Sequence, residues 1–282
     1  MSPNPESAPK SPGPVAFIGG GNMARSLIGG LLARGTAKDA IRVSDPLPAS
    51  RETLHADFGV DTFSANADAV HGAPTWVLAV KPQVMRDVCQ ALAPLAQEAR
   101  PLVVSIAAGI TSGQLEQWMG GGIAVVRCMP NTPALLGAGV TGLFANARVD
   151  GAGRQAAEAL LSTAGETVWI EDETRMDAVT AVSGSGPAYV FLLAEAMQAA
   201  GRKQGLDEDA ARTLVLQTIL GAARMLTESN TDAAELRRRV TSPGGTTQAG
   251  IEAFEAGGLR ELVETAIEAA TLRGRELSAA NG

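Results

Sequence analysis

Two stretches of this chain place glycines at the point where a helix is predicted to begin. The first is GGGNMA at 19–24, and the second is SPGGTT at 242–247. Glycine removes side-chain bulk there, and the first N–H groups of a helix have no partner within the helix. Such N–H groups, together with the helix dipole, bind phosphate or carboxylate groups. The chemistry predicted from these residues is the binding of two different anionic molecules.

The first stretch lies between a predicted strand, 15–18, and a predicted helix, 26–33. Its spacing is G-x-G-x-x-A, in which Gly19 permits a tight turn and Gly21 lets the backbone approach a pyrophosphate. The small Ala24 lets the helix lie close to the strand. Strand, glycine turn and helix in this order predict a dinucleotide-binding loop.

Further strands and helices alternate after this loop, and they extend the same fold. The second strand, 41–44, leads into Asp45, at about the distance from the glycines where an acid usually binds the ribose hydroxyls. This rhythm predicts a doubly wound, mostly parallel sheet of the Rossmann type. The other predicted strands are 75–80, 102–106, 123–127, 139–146 and 166–172.

Two loops at the ends of these strands carry polar groups and proline. They are AVKP at 79–82 and MPNTP at 129–133. Ligands of open α/β sheets bind at the carboxyl ends of the strands, which makes both loops candidates for the site. The alternative is that each is only a turn, since Pro and Asn are turn residues in their own right.

From Met176 onward the helical spacing of Ala, Leu, Met, Glu and Arg predicts an all-α second domain. The long helix predicted from SGSGPAYVFLLAEAMQAA, 183–200, is apolar on most faces, so it needs more cover than one small domain supplies. We therefore expect a dimer. Asp207 is predicted to cap the next helix. Routine capping is also the alternative explanation for SPGGTT.

The 282 residues suit two modest domains, and a net charge of −7 disfavours binding of nucleic acid or an anionic membrane. Two cysteines without a CxxC pair and two histidines predict neither a metal cluster nor a disulfide framework. Cys128 is expected to be a packed thiol. The lack of a disulfide framework favours a cytoplasmic protein, and the sequence predicts neither a signal peptide nor a membrane-spanning segment. The predicted division is a disordered tail at 1–13, a dinucleotide-binding domain at 14–173 and a helical domain at 174–282.

Six motifs, taken in order, resemble those of pyrroline-5-carboxylate reductases, which catalyse the last step of proline synthesis. They are GGGNMA, AVKP, VVSIAAG, RCMPNTP, AVSGSGPAYVF and SPGGTTQAGI, and the similarity runs from about residue 14 to 277. This resemblance implies a Rossmann domain that binds a reduced nicotinamide cofactor and a helical dimerisation domain. It also implies active sites built from both subunits of a homodimer, and the family's dimers often assemble further into decamers, rings of five dimers.

The resemblance also assigns site residues. The amides of Gly245, Thr246 and Thr247 are implied to bind the substrate carboxylate, and the Thr247 hydroxyl is expected near the ring nitrogen as the proton partner. Lys81 is a second candidate proton donor, with the alternative that it only neutralises a phosphate or a nearby acid. The implied cofactor contacts are Ile18, Gly19, Gly21, Asn22, Met23, Ser44, Asn66, Ala79, Val80, Lys81, Pro82, Ala107 and Asn131.

The nicotinamide cofactor is expected to be NADPH on family grounds, and NADH stays open because of Asp45. A carboxylate facing the 2′-phosphate would repel it, whereas Ser44 with Arg51 or Arg42 would hold it. Two other functions also stay open. A related reductase of imines or 2-oxo acids would commonly use a lysine of the helical domain, where only Lys203 follows Lys81. A non-enzymatic NAD(P)-sensing module would keep the glycine loop but have no reason to keep a second anion pocket.

Overall fold

The computed structural model describes residues 14–280, which contain one sheet of eight strands. The predicted tail at 1–13 lies outside the described residues. In chain order the strands are β1 (Val15–Ile18), β2 (Ile41–Ser44), β3 (Asp61–Phe63), β4 (Thr75–Leu78), β5 (Leu102–Ser105), β6 (Ala124–Met129), β7 (Gly139–Ala145) and β8 (Gly165–Trp169).

The strands lie in the order β3-β2-β1-β4-β5-β6-β7-β8, and every pair is parallel except β6 with β7. The order reverses beside β1, so the crevice between the ends of β1 and β4 is the topological switch point. This arrangement confirms the predicted Rossmann-type, mostly parallel sheet. The three-residue β3 is the one strand that the sequence pattern did not predict, because it is too short to show a buried run.

Alternate residues of the strands enter two separate hydrophobic cores, one on each face of the sheet. In β1, Val15 and Phe17 pack into one core, whereas Ala16 and Ile18 pack into the other. Burial on both faces explains why the central strands are mostly apolar. The helices that accompany the sheet are α1 (Asn22–Ala33), α2 (Pro48–Phe58), α3 (Asn66–Val70), α4 (Pro82–Ala99), α5 (Ser112–Trp118), α6 (Gly151–Leu161) and α7 (Met176–Val179).

The rest of the chain is helical, as predicted. Asp207 caps α9 (Glu208–Glu228), where its carboxylate accepts a 2.7 Å hydrogen bond from the Ala210 amide, and Asp232 caps α10 (Ala233–Arg239) in the same way. The prediction for Asp207 is confirmed. The helices are α8 (Gly186–Lys203), α9 (Glu208–Glu228), α10 (Ala233–Arg239), α11 (Thr246–Ala256) and α12 (Leu259–Ala280).

The described chain divides into two compact units, which differ from the predicted domain ranges. One unit holds 14–184 together with 270–280, and the other is Ser185–Ala269. The end of α12 belongs to the first unit because Ser278 contacts Asp177 and Gln114 there. The ranges 14–173 and 174–282 stay a prediction about where independently folding domains meet. None of the helices within 14–280 is long and apolar enough to cross a membrane.

Candidate active site

The glycine loop begins with a backbone conformation that glycine alone adopts readily. Gly19 has φ +101°, and a Cβ atom there would lie 2.7 Å from the carbonyl oxygen of Ala79. The Ala79 amide in turn donates a 2.8 Å hydrogen bond to the carbonyl of Ile18. The loop after β1 and the loop after β4 therefore meet at the switch point, which is where a dinucleotide binds in this fold.

The start of α1 is open to a ligand. Gly21 is the N-cap residue, and a Cβ atom added there would meet nothing within 4 Å. No side chain among residues 14–280 caps this helix, so its first N–H groups face outward unpaired by a cap. Asn22 beside it is exposed and Met23 is half-buried. An uncapped helix start with room above the backbone fits the pyrophosphate of a dinucleotide.

Asp45 is turned toward the glycine loop. Its Oδ2 accepts a 3.0 Å hydrogen bond from the Gly20 amide, and its Oδ1 accepts a 2.9 Å bond from the Leu47 amide. A carboxylate that accepts two amide N–H groups is well satisfied, because hydrogen bonds to charged acceptors are the stronger kind. Asp45 thus holds the loops after β1 and β2 together.

Ser44 and Asn66 form a pair inside this edge of the sheet. The Ser44 side chain is fully buried, and its hydroxyl donates a 2.8 Å hydrogen bond to Asn66 Oδ1. Asn66 is the first residue of α3 and is half-buried. Of these two predicted cofactor contacts, only Asn66 lies at the surface of the crevice, and Ser44 orients it.

The AVKP loop runs from the end of β4 into α4. Ala79 and Val80 are half-buried beside the glycine loop, Lys81 is the N-cap residue of α4, and Pro82 is its first residue. The Lys81 ammonium is exposed and has no hydrogen-bond or ion-pair partner among residues 14–280. It is therefore available to an anionic ligand.

The two remaining predicted cofactor contacts follow β5 and β6. Ala107 is buried, and its amide lies 3.4 Å from the Ser105 hydroxyl. The Asn131 side chain is committed at both ends, since it donates to the Ser183 carbonyl at 3.1 Å and accepts from the Val140 amide at 3.0 Å. Asn131 consequently fixes the MPNTP loop to Ser183 and Val140.

The start of α11, in the helical unit, is a second uncapped helix end. Gly244 has φ +70°, Gly245 is the N-cap residue, and Thr246 and Thr247 are exposed. No described side chain caps this helix, although Gln248 reaches back to accept a 2.7 Å hydrogen bond from the Gly244 amide. The Gly245 amide donates a 3.0 Å hydrogen bond to the Ser242 carbonyl, so the unpaired amides here are those of Thr246 and Thr247, and they fit a carboxylate.

Neither cysteine is available for redox chemistry. Cys89 and Cys128 are free and buried, as expected for Cys128. Burial raises the pKa of the Cys89 thiol to about 12, and it raises the pKa of the Cys128 thiol further. Both side chains stay protonated and inert near neutral pH. Within the described part of the chain, His, Cys, Asp and Glu side chains form no group of three that could hold a metal ion.

Sequence reasoning missed a buried ionic cluster in the α/β unit. The Arg127 side chain is only 5% exposed and lies 3.4 Å from both Glu173 and Asp177. Glu173 also accepts from the amide and the hydroxyl of Ser112, at 2.6 and 2.7 Å, so it caps α5 from outside. The signal was a charged residue inside the apolar strand IAVVRCM, since buried charges need partners.

The fold and the loop define the class of protein: a Rossmann-type oxidoreductase that uses a nicotinamide dinucleotide. Residues 14–109 match the family described as NADP oxidoreductase, coenzyme F420-dependent, and residues 173–277 match the family described as pyrroline-5-carboxylate reductase dimerisation. The chain belongs to the pyrroline-5-carboxylate reductase family, and it is an enzyme.

Three relatives carry this assignment. The pyrroline-5-carboxylate reductase of Pseudomonas aeruginosa is 55% identical over 264 residues, which cover 94% of this chain and 96% of that protein. The solved structure of a Coxiella burnetii pyrroline-5-carboxylate reductase superposes with a TM-score of 0.92 at 42% identity, covering 95% of this chain and 99% of that one. A Plasmodium falciparum pyrroline carboxylate reductase, solved with NADP bound, gives a TM-score of 0.81 at 30% identity and covers 94% and 97%.

Proposed function

We propose that the chain reduces 1-pyrroline-5-carboxylate to L-proline with NADPH, as the last step of proline synthesis in the cytoplasm. The observation that carries the proposal is the open, uncapped helix start at Gly21, in a chain 55% identical to a pyrroline-5-carboxylate reductase. The NADP bound to the Plasmodium relative supports NADPH as the preferred cofactor, with NADH as the alternative. The test is the loss of reduced-cofactor absorbance after 1-pyrroline-5-carboxylate is added to the purified protein with each cofactor.

In this reaction the cofactor supplies the hydride and the protein binds and orients the two reactants. When bound, the reduced nicotinamide supplies a hydride to the carbon of the substrate C=N bond. The amides at the start of α1 would hold the cofactor pyrophosphate, and those of Thr246 and Thr247, next to the small Gly245, would hold the substrate carboxylate. A protonated cyclic imine is electrophilic enough that the protein supplies orientation rather than a covalent nucleophile.

We assign the proton partner of the ring nitrogen to the Thr247 hydroxyl. Thr247 is exposed in the first turn of α11, next to the amides that bind the carboxylate in this proposal. Lys81 is given the other role weighed for it, that of neutralising the cofactor phosphate, because its ammonium is exposed and unpaired within residues 14–280.

Replacing Thr247 by alanine is expected to lower kcat by about 100-fold, the lower end of what a positioned proton donor contributes. Thr247→Ser keeps the hydroxyl and is expected to retain most of kcat. Lys81→Ala is expected to raise the KM for the cofactor and to leave kcat within about threefold, since it removes binding and no chemistry. Steady-state measurement of kcat and KM for the three variants tests the roles of Thr247 and Lys81. Full kcat and KM in Thr247→Ala would remove Thr247 from the mechanism.

We also propose a homodimer formed through the helical unit, with further assembly into a decamer of five dimers as the larger alternative. Support comes from the dimerisation family that matches 173–277 and from the apolar side chains that α8, α9 and α12 leave uncovered in one chain. The most exposed of these are Phe191, Leu192, Leu214, Leu220, Leu262 and Val263. Light scattering is expected to give at least twice the chain mass of 28.9 kDa, and a ten-chain particle would identify the decamer. A monomer would refute both.

A further inference from the structure

The loop that follows β2 is where a Rossmann enzyme contacts the adenosine ribose and distinguishes a 2′-hydroxyl from a 2′-phosphate. In this chain the loop and the start of α2 carry Asp45, Pro46 and Arg51, and β2 itself carries Arg42 and Ser44. An inference about these residues rests on the proposed function, because it concerns the choice between NADPH and NADH.

Three of the four polar side chains are already committed to the protein. Both carboxylate oxygens of Asp45 accept backbone amides, and Ser44 is fully buried against Asn66. The Arg42 guanidinium donates to the carbonyls of Asp68 and His71, the first at 2.8 Å. Neither Asp45 nor Ser44 has an unused donor for a ligand. Both Nη atoms of Arg42 already donate to these carbonyls, and its guanidinium lies over the Phe63 ring, 4.8 Å from the ring centroid.

Arg51 is different. Its Nη1 atom donates to the carbonyl oxygens of Asp45 and Pro46, at 2.7 and 3.0 Å, which fixes the half-buried guanidinium against the loop. A guanidinium has five N–H groups, so the three on Nε and Nη2 remain. No described residue accepts a hydrogen bond from them. A fixed, planar fork of unused donors is the group best suited to bind phosphate.

We propose that Arg51 selects NADPH by binding the 2′-phosphate through Nε and Nη2. The carboxylate of Asp45 does not take the ribose hydroxyls as the acid of an NAD-dependent enzyme does, because it holds the amides of Gly20 and Leu47. Asp45, which in the sequence suggests an NADH-dependent enzyme, therefore positions the loop to which Arg51 is hydrogen-bonded.

The experiment compares two ligands that differ only at the 2′ position, 2′-phospho-ADP-ribose and ADP-ribose, by calorimetric titration of the full-length protein. In Arg51→Gln, the affinity for 2′-phospho-ADP-ribose is expected to fall about 10- to 100-fold, the range for a lost charge-assisted bidentate contact. The affinity for ADP-ribose is expected to change less than about twofold. Arg42→Gln is the matched control, since that arginine lies on β2, just before the same loop, and donates to the carbonyls of Asp68 and His71 instead.

Three outcomes would overturn the inference. The first is an equal loss of affinity for both ligands in Arg51→Gln, and the second is no loss of affinity for either. The third is a wild-type protein whose affinity for ADP-ribose equals its affinity for 2′-phospho-ADP-ribose. Turnover of 1-pyrroline-5-carboxylate with NADH, which does not use the 2′ site, is measured in the same preparations. If the wild-type protein turned over no 1-pyrroline-5-carboxylate with either NADH or NADPH, the proposed function would be refuted. The ratio of the affinities for 2′-phospho-ADP-ribose and ADP-ribose would still decide the role of Arg51.

Discussion

Arg127→Met is expected to lower the free energy of unfolding by about 3–5 kcal/mol, because it leaves two carboxylates in the protein interior without their cation. The side chains of Arg127, Glu173 and Asp177 are 5%, 23% and 11% exposed, so water offers them little compensation. Glu173 keeps its hydrogen bonds from Ser112, whereas Asp177 keeps, among residues 14–280, only a 3.4 Å contact with the Ser278 hydroxyl. Most of the cost should therefore come from Asp177.

Urea unfolding followed by circular dichroism measures this loss, at a fixed protein concentration because the enzyme is expected to dimerise. Arg148→Met is the control, since Arg148 is 61% exposed and its ion pair with Glu116 should contribute less than about 1 kcal/mol. Adding Asp177→Asn to Arg127→Met should recover part of the loss, because it removes the unpaired charge. A loss in Arg127→Met no larger than that in the control would show that the buried cluster does not stabilise the fold.

Gly21→Val is expected to weaken cofactor binding by about 100-fold while the protein still folds, since two charge-assisted hydrogen bonds to phosphate are worth about 3 kcal/mol or more. The backbone of Gly21, at φ −69° and ψ 179°, is one that any residue adopts, and a Cβ atom there meets nothing within 4 Å. The valine would instead occupy the space through which the pyrophosphate reaches the amides of α1. Stability should fall by less than about 1 kcal/mol, the cost of a poorer N-cap residue.

Titration with NADPH, followed by the quenching of the protein's intrinsic fluorescence, measures the cofactor affinity. Urea unfolding measures the stability separately. Gly151→Val is the control, because Gly151 begins α6, has equally open space around it and lies outside the proposed site. Gly19→Val should behave in the opposite way and destabilise the fold, since φ is +101° and the Ala79 carbonyl lies 2.7 Å from the added atom. Unchanged NADPH affinity in a folded Gly21→Val protein would mean that the cofactor does not bind at this loop.

The strands and the glycine loop could be predicted because their signals are local. A run of apolar residues predicts a strand buried on both faces, and Val15–Ile18 and Ile41–Ser44 are strands in the structure with the predicted bounds. Gly19, Gly21 and Ala24 are small because the turn, the ligand and the helix approach one another closely there. This requirement too is set within a few residues. The caps, turns and helical spacing of the second half are local in the same sense.

The roles of several polar side chains could not be predicted, because they depend on partners far along the chain. The sequence predicted Asn131 as a cofactor contact but not the hydrogen bonds of its side chain to the backbone of Ser183, 52 residues away, and of Val140. Arg127 meets Asp177 across 50 residues. Sequence spacing says which residues follow a strand, but it does not say which hydrogen-bond partner a side chain finds once the strands are assembled.

By itself, the sequence determined the fold class, the position of both uncapped helix starts and the family, since each rests on short motifs whose geometry is set within a few residues. The tertiary structure alone decided where Asp45, Ser44 and Arg51 direct their polar atoms. A strand fixes which face a side chain lies on, but the atom it bonds to depends on the neighbouring strands and loops. For that reason the acid at the end of β2, which reads as a ribose ligand in the sequence, holds two backbone amides in the folded chain.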